Sequence, residues 1–120
     1  MQDEPQYDLK VRTKAFALGI IRLYCGLPKT TEAQVLGKQV LRSGTSVGAH
    51  YHEAKRARSD AEFVSKLGGA LQELSETAYW LELLTESGIV GEVQVAPLLQ
   101  EASELTAIFI TSCRTARGLK

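Results

Sequence analysis

Residues 44–53 read GTSVGAHYHE, and two incompatible proteins can be read from them. Gly44-Thr45-Ser46-Val47-Gly48 fits the G-x-S-x-G pattern of a nucleophile elbow, with His50, His52 and Glu53 close behind. An elbow needs a strand running into a sharp turn and a helix leaving it, so that the serine Oγ stands beside backbone donors. No alternating run precedes Gly44. Instead Ala33, Leu36, Val40, Gly44, Val47, Tyr51 and Ala54 recur at steps of three and four, which gathers them on one side of a helix. The stretch reads as helix interior, no oxyanion site accompanies Ser46, and no catalytic residue is assigned. His50 and His52 project about 200° apart around a helix and cannot share one ion. His50 with Glu53 would supply only two ligands, so no metal site is assigned either.

What the stretch supports is packing. Gly37, Gly44 and Gly48 line one edge of the apolar stripe, where missing side chains admit a close neighbour. Gln39, Ser46, His50 and Glu53 form a polar seam on the other edge, of a kind that can join helices within or between subunits.

Outward from this segment the chain divides into four helices. The second, about 31–56, follows Pro28 and opens on Thr31-Glu32-Ala33-Gln34, a capping-box pattern. The third, about 60–87, opens on Ser59-Asp60-Ala61-Glu62 and carries Leu67, Ala70, Leu71, Leu74, Ala78 and Leu81 on one face. The fourth, about 94–117, carries Val95, Leu98, Ala102, Leu105, Phe109 and Ala116; Pro97 requires its start near Gln94, because proline fits only the first turn. The first, about 8–26, has two apolar sides. Leu9, Phe16, Ile20, Leu23 and Leu27 occupy one, and Val11, Ala15, Leu18, Ile21 and Cys25 the other. A bundle buries one stripe per helix, so the second stripe calls for another subunit. Tyr79, Trp80 and Leu83, off the core arc of the third helix, add to that surface. The oligomer-interface residues expected are Val11, Leu18, Ile21, Ser46, His50, Glu53, Tyr79, Trp80 and Leu83.

The 120 residues suit one all-α domain, an antiparallel up-down four-helix bundle. No apolar run reaches the ~18 residues of a membrane span, and a cytoplasmic protein is expected. Cys25 and Cys113 lack any C-x-x-C spacing and read as reduced core thiols. Net charge is zero but unevenly spread. Asp3, Glu4 and Asp8 make the start acidic. Residues 9–58 hold ten bases against two acids, a balance of +8, whereas residues 59–110 hold nine acids against Lys66, a balance of −8. That polarity suits an RNA-binding face or complementary faces between subunits.

Leu41-Arg42-Ser43-Gly44-Thr45-Ser46-Val47-Gly48-Ala49, then Glu53, Ala57-Arg58-Ser59, Glu62-Phe63 and Leu71-x-Glu73-Leu74, resemble the four-helix-bundle proteins of the 23S rRNA intervening-sequence family. Accessory variability proteins of diversity-generating retroelements are more distant relatives. The resemblance implies a bundle assembling as a homopentameric ring, with no established enzymatic activity. Some relatives are encoded within inserts in ribosomal RNA genes, and the retroelement relatives look like basic partners of reverse transcriptase and RNA. The family commonly has Asn at the position of His50 and often a basic residue at that of His52, so the polar seam here is altered.

Two functions follow. One is a non-catalytic, ring-forming adaptor for RNA or a ribonucleoprotein. Its nucleic-acid contacts would be Arg22, Lys38, Arg42, Lys55, Arg56 and Arg58, with Lys10, Arg12 and Lys14 as further candidates, although each alone is an ordinary solvated charge. The other is a protein scaffold in which the basic half of one subunit meets the acidic half of the next. Neither needs a cofactor or a small-molecule substrate.

Overall fold

The computed structural model describes residues 8–118. The described residues form four helices and no strand: α1 (Leu9–Cys25), α2 (Thr31–Lys55), α3 (Asp60–Glu86) and α4 (Glu92–Ala116). Asp3, Glu4 and Lys120 lie outside the described residues.

Short turns force successive helices to double back, and the side-chain register records it. Positions 37, 44 and 48 of α2 meet Tyr24, Ile20 and Thr13 of α1 in reverse order. Ser43 and His50 of α2 likewise meet Thr77 and Glu73 of α3. Each helix packs on its neighbours in chain order, and α1 closes the bundle against α4 more sparsely. The result is an up-down bundle of 47 × 24 × 21 Å.

The core follows the 3.6-residue period. Phe16, Ile20 and Leu23 from α1, Val40 and Val47 from α2, Leu67, Leu74, Leu81 and Leu84 from α3, and Val95, Leu105 and Phe109 from α4 are buried together. The α2 ring of Tyr51 stacks on Phe109 across the bundle, 5.8 Å between centroids and 5° from parallel. Leu36, Tyr51, Leu71 and Leu98 are only half-buried, packed at the edge of this cluster.

Helix ends differ from the expected pattern in three places. At α2 the N-cap is Thr30, whose hydroxyl accepts from Ala33 N–H, not Thr31; Gln34 instead donates to the Pro28 carbonyl and accepts from the Tyr24 hydroxyl. At α3 Ser59 caps Glu62 N–H as expected, but the Glu62 carboxylate reaches back one residue further, to Arg58 N–H. Helix α4 begins at Glu92, two residues before the expected start, with Gly91 as N-cap, so Pro97 lies in the second turn. There it withholds one backbone donor from the Val93 carbonyl. The end of α3 is closed by Gly88 at φ 80°, with Ile89 N–H returning to Leu84 O and Gly88 N–H to Thr85 O, the Schellman arrangement.

Cys113 is buried in α4, whereas Cys25 is exposed at the end of α1, so only one of the two thiols belongs to the core. Residue 25 follows Val11 and Leu18 at seven-residue steps, the outward stripe of α1 rather than its inward one.

Candidate functional site

Ser46 sits mid-helix in α2, and its hydroxyl donates to the Arg42 carbonyl one turn back at 2.7 Å. Such back-bonding occupies the proton and leaves Oγ on a helix flank with no strained turn beneath it.

The polar edge of α2 faces α3 of the same chain. Arg42 reaches Glu76 at 2.7 Å and Glu73 at 3.3 Å; His50 Nε2 lies 3.5 Å from Glu73 and its Nδ1 4.0 Å from Glu53; Lys66 lies 3.5 Å from Glu53. Gly69 makes room for the imidazole, since a Cβ there would stand 2.8 Å from His50 Nδ1. His52 is exposed, away from this seam. Among the described residues no three His, Cys, Asp or Glu side chains are grouped to hold a metal ion.

Below the seam lies a contact that hydrophobic periodicity passes over. Ser43 and Thr77 are both fully buried, and Thr77 Oγ1 lies 2.8 Å from Ser43 Oγ and 2.7 Å from the Glu73 carbonyl. Two small hydroxyl residues facing each other bring α2 and α3 close while satisfying one another. Thr77→Val keeps the shape and removes that hydroxyl, and should cost about 1–2 kcal/mol. In a double-mutant cycle with Ser43→Ala, urea midpoints should show the pair less destabilised than the sum of the single changes. Strict additivity would mean the hydroxyls do not interact.

Of the expected cations, Arg12 and Arg42 are consumed within the subunit. Arg12 Nη2 lies 2.6 Å from Glu101 and 2.9 Å from Glu104, and its Nε 2.9 Å from Glu101, a fork that ties α1 to α4. The Glu104 carboxyl is held below its ordinary pKa, first by the hydrogen bond from Gln100 and then by that from Arg12. Arg42 is held above its ordinary value, chiefly by Glu73. In contrast, Lys10, Lys14, Arg22, Lys38, Lys55, Arg56 and Arg58 are exposed and form no ion pair among the described residues. At about 100° per residue, Lys38, Thr45, Ala49, His52 and Arg56 fall along the outer face of α2, with Arg42 at its edge. Lys55 and Arg58 border a shallow depression at the α2–α3 turn, together with Ala54, Ala57, Ser59, Asp60 and Phe63.

The expected apolar surface divides. Val11, Leu18, Ile21 and Tyr79 are 59, 44, 37 and 53% exposed. Leu83 is half-buried. Trp80 does not stand clear of the core as expected: it packs against the buried cluster, its edge met by Tyr79 at 5.1 Å, and its Nε1 is buried without a hydrogen-bond partner among the described residues. About 90° from the α3 core arc, its large ring spans the distance that a smaller side chain would not.

These features define a helical bundle with a bare apolar flank and a cationic outer face. The chain belongs to the family described as 23S rRNA-intervening sequence protein, which it matches over residues 7–111. It is similar to the crystal structure, at 1.70 Å resolution, of a protein of unknown function from the S23 ribosomal protein family of Bacteroides thetaiotaomicron VPI-5482. The two share 38% identity and a TM-score of 0.82, over 88% of this chain and 97% of that one. No curated protein matches the chain. No helix among the described residues is long and apolar enough to cross a membrane.

Proposed function

We propose that this protein is a non-catalytic adaptor that assembles as a homopentameric ring in the cytoplasm and associates with RNA or a ribonucleoprotein. The observation that carries the reading is the sorting of cations. Arg12 and Arg42 spend their charge on Glu101, Glu104, Glu73 and Glu76, while Lys38 and Arg56 on the outer face of α2, Lys55 and Arg58 at the α2–α3 turn, and Arg22 on α1 spend none. Unpaired cations along one helix can each displace a counterion from a phosphate backbone. Arg42, already paired with Glu73 and Glu76, contributes least.

Filter binding of structured RNA tests this at two salt concentrations. Retention should fall steeply with salt, and Lys38→Gln with Arg56→Gln should shallow the slope by about one per phosphate contact removed. Retention that is absent, or indifferent to salt, would sink the nucleic-acid part.

A second reading, a scaffold without nucleic acid, is favoured by Val11, Leu18 and Ile21, which lie exposed among Lys10, Lys14 and Arg22. Phosphate does not cover apolar side chains, whereas a protein does. Reversing Arg56 and Arg58 to Glu separates the two: a lost oligomer favours the scaffold, and an intact one with weaker RNA retention favours the adaptor.

A further inference from the structure

The bare flank of α1 has a counterpart on α3. Successive outward positions of α3 are Gly68, Gln72, Tyr79, Leu83 and Glu86, which about 100° per residue brings onto one side. Gly68 is the unusual member. Glycine is among the poorest helix formers, and in this bundle the helical glycines 19, 37, 44, 48 and 69 each make room for a neighbouring side chain. A Cβ at Gly68 would meet nothing within 4 Å. Its space serves nothing inside the subunit. Eleven residues on, Tyr79 stands exposed, and Glu82 and Glu86 beside it carry no ion pair among the described residues.

We propose that α1 of one copy lies antiparallel across this outer face of α3 of the next copy. The inference rests on the oligomeric part of the proposed function and names the two surfaces that meet. Val11 then packs on Tyr79 and Leu83, and Leu18 and Ile21 enter the low ground at Gln72 and Gly68. Charge selects the direction. Lys10 and Lys14 flank the first half of the α1 stripe, and Glu82 and Glu86 flank the second half of the α3 face, so only the antiparallel arrangement brings them together. It also opposes the two helix dipoles. In the parallel arrangement Lys10 and Lys14 would approach the start of α3, where Asp60 and Glu62 project about 100° to either side of this face and the helix N-terminus itself disfavours cations. The contact uses a different patch on each copy, the heterologous kind that closes into a ring when the rotation per subunit fits.

Light scattering of the full chain, with circular dichroism to verify folding, tests the assignment. The parent should show a mass several times that of one subunit. Gly68→Trp, whose side chain has open space in its own subunit, should stay helical and fall to a single-subunit mass. Lys10→Glu with Lys14→Glu should do the same, and adding Glu82→Lys and Glu86→Lys to that chain should restore the assembly. If Gly68→Trp and the lysine reversals both leave the mass unchanged, the oligomer stands and the α1–α3 docking is wrong. A parent that is itself monomeric removes both.

Discussion

Replacing Phe109 by alanine is expected to cost about 3–5 kcal/mol, a large share of the ~5–15 kcal/mol that holds a domain of this size together. The ring is fully buried, among the largest side chains in the core. It comes from α4, and Tyr51 of α2 lies flat against it, so the change opens a void between diagonally opposed helices and strips one face of a second ring. Thermal unfolding followed by circular dichroism should show a midpoint lower by roughly 10–20 °C. The neighbouring Ile110, 47% exposed, supplies the control: its alanine variant should shift subunit stability by no more than about 0.5 kcal/mol. A Phe109 variant as stable as the Ile110 variant would contradict the packing described.

Gly44→Val should also be damaging, though less so, and for the opposite reason. A Cβ at position 44 would stand 2.7 Å from Ile20 Cγ1 and 3.2 Å from Ile20 Cβ. Ile20 is completely buried and branched at its β-carbon, so it has no rotamer into which to retreat. Removing a helical glycine helps by at most about 1 kcal/mol, less for valine than for alanine. Forcing α1 and α2 apart costs about 1–3 kcal/mol or more, and the second effect wins. Urea denaturation should therefore place Gly44→Val about 2 kcal/mol below the parent. Ile20→Ala, harmful alone, should be much less harmful in the Gly44→Val background, because the added carbons occupy the vacated space. Independent, additive losses would place the crowding elsewhere.

Glycines 37, 44 and 48 were legible as a packing edge because glycine inside a strongly periodic helix demands a return, and Leu27 just beyond α1, with Ile20 and Thr13 on it, supplies that return. It is chiefly side chains that fill the gap, not an approaching backbone. The same periodicity located four helices and most of their buried faces. It could not see Ser43 and Thr77, because a rule that searches for apolar residues passes over hydroxyls that satisfy each other. Nor could it find the partners of Arg12 and Arg42, which stand 89 and 31 residues from the glutamates they meet; only the register of antiparallel helices brings them together. The expected cations looked alike in sequence. Pairing alone distinguishes Arg12 and Arg42 from Lys38 and Arg56. Trp80 was misplaced because the helical period describes where a side chain leaves the backbone, and an indole extends far enough to turn back toward the interior.

The seams of the bundle are unequal, and this predicts an order of assembly. The α2–α3 pair is joined along its length by Ser43–Thr77, Arg42–Glu76 and Lys66–Glu53, across a turn of only four residues. Such a hairpin can zip early, since little chain must be ordered before its contacts are gained. The α1–α4 closure joins opposite ends of the sequence and leans on one arginine fork. That seam is therefore the one expected to form last and open first, like a book whose spine is α2–α3, and amide hydrogen exchange should report its opening before that of the α2–α3 hairpin.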